Sequence, residues 1–347
     1  MRRAWALPLA RKTPGRRLAA YLSAWPAMLV ELGRLGGWDA CVVMTDPPLL
    51  PVLGPAARRL LSRPGRPCRL AAWIQDLHPD LVEGIGVLRP GAPTSLLLRA
   101  AARQAYAGAD RVICIGRCMR RRLVQAGAPL SRLSVIPNWS DPAHVRPAPP
   151  ETNAWRRALG LTDSFLVMYS GNMGHFHRFA PFLEAAERLR AAPGGGVRFL
   201  FVGDGVKAEA LRAQAQAKGL DNVLFLPPRP YADLSELLGA ADLHLASMRD
   251  ELLGCMAPSK VYGALAAGRP SLFLGPAASE PARTLLERDC GQVVQGAEDV
   301  VRAVLAWRDD ADRRRAAGRR AREAALAWGL PQAAERFERT LLDLIAS

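Results

Sequence analysis

Short apolar runs recur along the chain, and longer stretches with apolar residues at helical spacing lie between them. Runs of this kind predict buried strands, and the stretches between them predict helices. The regular alternation of the two predicts an α/β fold with parallel sheets. The predicted strands cover residues 40–45, 70–75, 111–115, 133–137, 165–170, 197–202, 223–226, 243–246, 271–274 and 292–294.

Helical spacing and turn residues divide the chain further. A Pro-rich polar passage over residues 141–152 predicts a linker, which we place at 146–155. We therefore expect two Rossmann-like doubly wound domains, over residues 1–145 and 156–328, that face a central cleft, and a C-terminal helix over 329–347. The predicted helices cover residues 92–107, 117–126, 179–191, 206–218, 231–239, 259–267, 279–288 and 297–327.

Composition excludes several classes of protein. With 347 residues, of which 50% are hydrophobic, the chain has enough apolar material for two folded domains and is not disordered. No apolar stretch is long enough to span a membrane. The six cysteines are scattered, which indicates buried reduced thiols and a cytoplasmic protein.

The net charge of +15 is unevenly distributed. Residues 1–150 contain 22 Arg and Lys against 8 Asp and Glu, a net charge of +14, whereas the remainder contains 25 against 24. A single basic domain suggests an anionic partner: a membrane surface, a phosphorylated substrate or nucleic acid. Nucleic acid is disfavoured, because the basic residues are not interleaved with aromatic residues.

The segment Tyr169-Ser170-Gly171-Asn172-Met173-Gly174 directly follows a strong predicted strand. Glycines at a strand-to-helix turn let backbone N–H groups approach an anion, although a simple tight turn explains the same spacing. The residues of this loop that we expect to contact a phosphate group are Gly171, Asn172, Gly174, His175 and Arg178.

Further candidates for the same site follow later strands. Asp204 and Gly205 end the next predicted strand, and Ser259 and Lys260 begin a predicted helix. The chain has only four lysines, so Lys260 stands out as a point charge suited to a diphosphate, although an exposed first-turn lysine is the alternative. Glu280 could accept hydrogen bonds from ribose hydroxyls, or simply occupy a first helical turn.

Two groups of polar residues in the first half are further candidates for a functional site. Asp76 and His78 follow the second predicted strand, where a carboxylate and an imidazole could move protons, or cap a loop. A basic stretch on a predicted helix could dock on acidic headgroups, or form a solvated helix face. Its members are Arg117, Arg120, Arg121 and Arg122.

Taken together, these segments resemble the retaining GT-B glycosyltransferases of family 4, in the bacterial branch that builds surface polysaccharides and includes colanic-acid-type enzymes. The resemblance covers roughly residues 38–345. The matching segments are Thr45-Asp46-Pro47-Pro48-Leu49, residues 75–80, Val135-Ile136-Pro137-Asn138-Trp139-Ser140-Asp141, residues 169–174, residues 202–205, Ala241-Asp242-Leu243 and residues 258–270.

The resemblance implies transfer of a sugar from a UDP- or GDP-sugar to a lipid-linked saccharide, with retention and without a metal or other cofactor. It implies that the second domain holds the donor diphosphate near Gly171, Asn172 and Lys260. We expect catalytic roles for Lys260 and, from their position after a strand, for Asp76 and His78. The resemblance further implies that the first domain binds the acceptor, that the C-terminal helix packs back toward this domain, and that the protein is peripheral on the inner membrane face.

The chain departs from the family pattern at three places. Cys255 and Gly263 occupy the positions of two family glutamates, and His175 replaces a basic residue, with Arg178 as its nearby substitute. Residues 1–37 do not match the strand and glycine-rich loop that open the family's first domain. These departures leave two other hypotheses: a non-catalytic nucleotide-binding subunit, for which a partner chain could supply the missing strands, or a sugar-nucleotide epimerase.

Overall fold

The computed structural model describes residues 14–190 and 196–346, which form two compact units. The first unit contains the described residues up to Pro137, together with Gly254–Ala257 and the chain from Glu335 onward. The second contains the described residues of Asn138–Leu253 and Pro258–Ala334. Each unit has its own parallel sheet, so the predicted α/β class with two Rossmann-like domains is confirmed.

The first unit is built on a four-stranded parallel sheet of order β1-β2-β3-β4. Strands β2 and β3 are almost wholly buried, because their apolar residues run without polar interruption. Its elements are α1 (Pro14–Gly33), β1 (Ala40–Met44), α2 (Gly54–Leu61), β2 (Arg69–Ile74), α3 (Asp80–Gly84), α4 (Pro93–Gly108), β3 (Arg111–Cys114), α5 (Arg117–Gln125) and β4 (Leu133–Val135).

The second unit contains a six-stranded parallel sheet with helices on both faces. Its first elements are α6 (Ala154–Ala158), β5 (Phe165–Ser170), α7 (Ala180–Leu189), β6 (Val197–Val202), α8 (Ala208–Ala217), β7 (Val223–Leu226), α9 (Leu234–Gly239) and β8 (Leu243–Ser247). The later elements are α10 (Lys260–Ala266), β9 (Ser271–Leu274), α11 (Glu280–Glu287), β10 (Gly291–Val294), α12 (Ala297–Asp309), α13 (Ala311–Trp328) and α14 (Leu330–Ala346), although α14 from Glu335 onward belongs to the first unit.

The strand order of the second sheet is β10-β9-β8-β5-β6-β7. The chain runs outward from β5 to β7 and then returns to the other side of β5, so the order reverses between β5 and β8. These two strands pair only through Val167 with Leu243 and Met168 with His244, whereas β5 pairs with β6 as far as Ser170. In open α/β sheets, ligands bind where the strand order reverses, at the carboxyl ends of the strands.

The structure differs from the predicted elements at several positions. The helix predicted over 297–327 is two helices, because Asp310 leaves helical geometry and its side chain accepts a hydrogen bond from Arg313 N at 2.8 Å. Helix α1 was not predicted, since Pro26 lies inside it and proline disfavours a helix interior. Helices α2 and α3 were also not predicted, since prolines precede both segments.

The Pro-rich passage lies within the second unit rather than between the units, and the first unit ends at Pro137 rather than at residue 145. Arg146 N donates to Ser235 Oγ at 2.9 Å, and that hydroxyl donates to His144 O at 2.7 Å. The C-terminal helix contributes Phe337 to the first unit, where its ring lies 4.8 Å from that of Trp73. None of the described helices combines the length and the apolar character needed to cross a bilayer.

Candidate functional site

The glycines that follow β5 and β6 let two turns pack backbone against backbone. Gly171, Gly203 and Gly205 have φ angles of 128°, 138° and 145°. A Cβ atom at Gly203 would overlap the carbonyl group of Gly171, and one at Gly205 would lie 2.7 Å from the backbone nitrogen of Met173. Both the conformation and the close approach therefore require glycine.

Hydrogen bonds fix the turn after β5. Gly171 N donates to Val202 O at 2.8 Å, and Met173 N donates to Asp204 O at 2.7 Å. The Tyr169 hydroxyl donates to the carbonyl oxygen of Asn172 at 2.8 Å. The turn is thus a rigid platform at the carboxyl end of β5, with the Asn172 side chain exposed to solvent.

Lys260 packs against this turn. A Cβ atom at Gly171 would lie 2.9 Å from Lys260 Cε, so the absence of a side chain leaves room for the lysine. The ammonium group lies 5.1 Å from the centroid of the Tyr169 ring, within range of a cation–π interaction. Burial lowers the pKa of Lys260 to about 8, and no carboxylate within ion-pair distance of its ammonium group appears in the described part of the chain.

His177 holds the Lys260 ammonium group. Nδ1 of His177 lies 2.5 Å from the carbonyl oxygen of Ser247, which can only accept, so Nδ1 carries the proton. Nε2 therefore has a free lone pair, and it lies 3.2 Å from Lys260 Nζ, which donates to it. Burial, followed by the positive charge of Lys260, lowers the pKa of His177 to about 4, so the ring is neutral at physiological pH.

Some of the other residues that were predicted to bind the sugar donor also lie at the ends of β5 and β6. Asp204 is exposed, and its carboxylate accepts a hydrogen bond from Gly205 N at 2.7 Å. Gly174 is buried and lies against the Asn172 side chain, whereas His175 is exposed on the following loop. The structure therefore brings six of the predicted residues to the ends of β5 and β6: Gly171, Asn172, Gly174, Asp204, Gly205 and Lys260.

Three more residues that were predicted to bind the sugar donor lie elsewhere in the same unit. The guanidinium group of Arg178 lies 3.4 Å from Asp250 and donates to Gln295 O at 3.1 Å, so it points to the segments after β8 and β10. Ser259 is exposed and makes no capping hydrogen bond at the start of α10. Glu280 is buried in the first turn of α11, after β9.

In the first unit, Asp76 and His78 lie at the carboxyl edge of the sheet. The Thr45 hydroxyl accepts hydrogen bonds from Gln75 N at 2.9 Å and Asp76 N at 3.1 Å, which joins the ends of β1 and β2. Burial and then the nearby Asp46 carboxylate raise the pKa of Asp76 to about 6. Burial lowers the pKa of His78 to about 4. Asp76 is therefore the group in this pair that can exchange a proton near neutral pH.

The sequence predicted that the basic residues of α5 form one exposed face. In the structure they do not. Arg120 and Arg121 are exposed, and Arg117 is half-buried. Arg122 instead lies 3.3 Å from the Asp80 carboxylate, to which Arg99 is also paired at 3.1 Å. Successive helical residues point about 100° apart, so Arg122 turns toward the interior of the unit.

Sequence reasoning missed several contributors to these sites. Lys207 Nζ lies 3.4 Å from the carbonyl oxygen of His177, and burial lowers its pKa. It is another of the four lysines, so the rarity that marked Lys260 could have identified it. Only the fold brings His177, Ser247 and Asp46 to these positions, so no local pattern indicated their contacts. Within the described residues, no group of three or more His, Cys, Asp and Glu side chains is placed to hold a metal ion.

Comparison with known protein families finds two glycosyl transferase domains in the chain. Residues 2–139 match the model of the glycosyl transferase 4-like domain, and residues 164–310 match that of the glycosyl transferases group 1. The match begins at residue 2, so the family similarity extends further toward the start than the expected limit at residue 38.

Relatives support the same family. The chain is 32% identical to the WcaI glycosyl transferase of Escherichia coli, which is assigned to colanic acid biosynthesis, over 65% of this chain and 55% of that protein. It is 24% identical to the WbjE glycosyltransferase of Pseudomonas aeruginosa, over 80% of this chain and 67% of that protein. The aligned region thus spans about half the length of WcaI.

Solved structures show the same fold. HepE of Anabaena in complex with UDP-glucose superimposes with a TM-score of 0.73 at 18% identity, over 95% of this chain and 84% of that one. Sucrose-phosphate synthase from Thermosynechococcus elongatus superimposes with a TM-score of 0.76 at 17% identity, over 99% and 83%. With two parallel-sheet units and two domain models that match, the chain belongs to the GT-B glycosyltransferases that carry a 4-like domain and a group 1 domain.

Proposed function

We propose that this glycosyltransferase transfers a sugar from a UDP- or GDP-sugar to a lipid-linked saccharide, with retention of configuration, in the synthesis of a surface polysaccharide. The likeness to WcaI supports the polysaccharide class, and the HepE structure with UDP-glucose supports a nucleotide-sugar donor. We propose that the reaction needs no metal or other cofactor.

The observation that carries the proposal is the position of Lys260. Its ammonium group lies against the glycine turn at the carboxyl end of β5, beside the point where the strand order reverses. His177 orients this group with a neutral acceptor, so the positive charge remains available to a ligand. A lysine ammonium beside backbone that tolerates close approach suits a diphosphate.

In the proposed reaction, the acceptor oxygen forms a bond to the anomeric carbon on the same face from which the diphosphate oxygen departs, so configuration is retained as the bond to that oxygen breaks. Negative charge develops on the departing diphosphate, and Lys260 stabilises it through a charge that is already in place. The hydroxyl proton of the acceptor passes to a base. In the first unit, which binds the acceptor, the candidate base is the Asp76 carboxylate with its pKa of about 6, and neutral His78 can orient the hydroxyl.

The charge and the exposed apolar residues of the first unit support an acceptor that is bound at the inner face of the membrane. Nearly all of the net positive charge lies in residues 1–150, and the exposed Arg120 and Arg121 contribute to it. On α4, Leu96 and Leu97 are 56% and 70% exposed. A basic unit with exposed leucines is suited to a bilayer that contains anionic lipids.

The test is transfer of a labelled sugar from UDP- and GDP-sugars to a lipid-linked acceptor in phosphatidylglycerol vesicles. We expect transfer by the unmodified chain and by Lys218→Ala, a control at an exposed lysine of the same unit, but not by Lys260→Ala. Transfer in vesicles by the unmodified chain is expected to fall as salt increases, and the Arg120→Glu, Arg121→Glu double variant is expected to lose transfer already at low salt. Nucleotide binding without transfer from any donor would favour a non-catalytic subunit, and release of free sugar would favour an epimerase.

A further inference from the structure

A cavity lies in the second unit, at the amino edge of its sheet, away from Lys260. Its volume is about 500 Å³. It lies beside Asp242 and Pro270, which directly precede β8 and β9, whereas the proposed donor site lies at the carboxyl ends of the strands. Because β8 has five residues at about 3.3 Å each, the two sites are about 16 Å apart along the strand.

Arginines dominate the lining of this cavity. Arg269, Arg314 and Arg322 are half-buried. The exposed rim carries two further arginines and two glutamates, whose charges cancel: Arg315, Arg319, Glu151 and Glu323. The interior therefore has a surplus of positive charge.

The half-buried carboxylate of Asp242 interacts with Arg269, but it offsets only part of this surplus, because its ion pair is with Arg156. It lies 3.1 Å from Arg156, and it also accepts a hydrogen bond from Leu166 N at 2.8 Å. Asp242 is thus paired with an arginine outside the set of three. The three interior guanidinium groups have only backbone carbonyl groups as their hydrogen-bond partners within the described residues.

Those carbonyl groups hold the guanidinium groups in place. Arg322 donates to Val145 O at 2.9 Å, to Ala266 O at 2.8 Å and to Pro142 O at 2.9 Å. Carbonyl oxygens carry only partial charges, so they orient a guanidinium group without neutralising it. Guanidinium groups that are already held in position lose little side-chain conformational entropy when an anion binds.

Arg314 and Arg269 are held in the same way. Arg314 donates to Arg308 O at 2.6 Å and to Trp307 O, at the end of α12. Arg269 donates to Gly239 O at 2.9 Å and to Ala148 O, while its Nε is buried with no hydrogen-bond partner among the described residues. Burial lowers the pKa of Arg269, the Asp242 and Glu151 carboxylates act against this shift, and the charges of Arg156 and Arg314 add to it. An anion in the cavity would reduce the repulsion among these guanidinium groups.

We infer that this cavity binds the phosphate group of a sugar phosphate through Arg269, Arg314 and Arg322. The volume exceeds what a phosphate ion needs, and three prolines (147, 150 and 270) give the walls flat apolar surfaces for a sugar ring. The rim carboxylates of Glu151 and Glu323 can accept hydrogen bonds from sugar hydroxyls.

The test is calorimetric titration of the full chain with glucose 6-phosphate and, separately, with inorganic phosphate and glucose. Saturating UDP is present throughout to fill the proposed donor site. We expect glucose 6-phosphate to bind, and to bind about tenfold more weakly to Arg314→Gln, which removes one charged donor. Arg319→Glu, at the exposed rim, is expected to weaken binding without disturbing the fold. Arg302→Glu makes the same charge change at an exposed position outside the cavity and is expected to bind normally.

The titrations distinguish a site for inorganic phosphate from a site for a sugar phosphate. Binding of inorganic phosphate as tightly as glucose 6-phosphate would show that the arginines recognise the phosphate group alone, and tighter binding of glucose 6-phosphate would show that the sugar contributes. Either result supports the site. Absence of binding by both anions, or binding that is unchanged in Arg314→Gln and Arg319→Glu, overturns it. The result does not depend on the proposed donor site, since a failure of UDP to bind leaves this cavity unaffected.

Discussion

The ammonium nitrogen of Lys260 lies 3.2 Å from Nε2 of His177. The opposite ring nitrogen donates to Ser247 O, so the backbone at the end of β8 fixes the tautomer that accepts from the lysine. A carboxylate in the place of His177 would neutralise the lysine, whereas the imidazole positions it and leaves its charge available. This relationship gives His177 a positioning role in the proposed donor site.

Replacement of His177 tests that role. His177→Phe keeps the size of the ring but removes both hydrogen bonds, and we expect it to weaken UDP or GDP binding by about tenfold. His177→Gln retains an acceptor for Lys260 and should recover part of the affinity. Calorimetric titration measures both variants, with thermal unfolding as the check on the fold. Equal affinities for the phenylalanine variant and the unmodified chain would remove His177 from the site.

The pH dependence of nucleotide binding should follow Lys260. The diphosphate binds the protonated lysine, and the pKa of the unliganded amine is about 8. Affinity is therefore expected to be level between pH 7 and 8 and to fall by up to about tenfold per pH unit above 8. In Lys260→Arg the side chain stays charged throughout this range, so the fall above pH 8 should disappear. Persistence of the fall in the arginine variant would assign it to another group.

The glycine turns provide a test of the local backbone. Gly203→Ala places a Cβ atom against the Gly171 carbonyl group at a φ of 138°, and we expect it to lower the free energy of unfolding by about 2–3 kcal/mol. Gly160→Ala is the matched control, because Gly160 has a φ of 66° with no atom within 4 Å of the added Cβ. It should cost about 1 kcal/mol. Denaturant unfolding distinguishes the two, and equal losses would contradict the close packing of the turns.

The Asp76 carboxylate is expected to lower the free energy of unfolding while it supports sugar transfer. Its pKa is about 6 in the folded chain, above the ordinary value of 3.8, so this group reduces stability as pH rises from about 4 to 6, and the loss persists above 6. Asp76→Asn is therefore expected to raise the unfolding midpoint at pH 8 and to change it much less at pH 4, while it lowers sugar transfer. A variant that is less stable at pH 8 than the unmodified chain would show that the carboxylate is stabilised rather than strained.

Much of the second unit was predictable from sequence, because its strands are uninterrupted apolar runs bounded by glycine and polar turns. Four of its six strands have the predicted bounds, and the sequence alone indicates Gly171 and Lys260 as candidate site residues. Asp310 was not recognised as a helix boundary, because its capping role becomes visible only with the hydrogen bond to Arg313 N.

The contacts that give these residues their properties could not be predicted. The link from His177 to Ser247 joins positions 70 residues apart and uses a backbone carbonyl, which carries no signature in the side chains. The ion pair between Arg122 and Asp80 spans 42 residues, so a basic stretch on α5 gave no sign that one member turns inward. Local patterns predict which elements form, and the fold decides which side chains meet.

The central claim, that Lys260 and the turn at Gly171 form a donor site, is tested most directly by calorimetric titration of UDP and GDP into the purified chain. We expect one nucleotide to bind with a micromolar dissociation constant, and to bind about ten- to a hundredfold more weakly to Lys260→Ala. Lys218→Ala should bind like the unmodified chain. Failure of both nucleotides to bind to a folded chain, or equal binding by the Lys260→Ala variant, would contradict the claim.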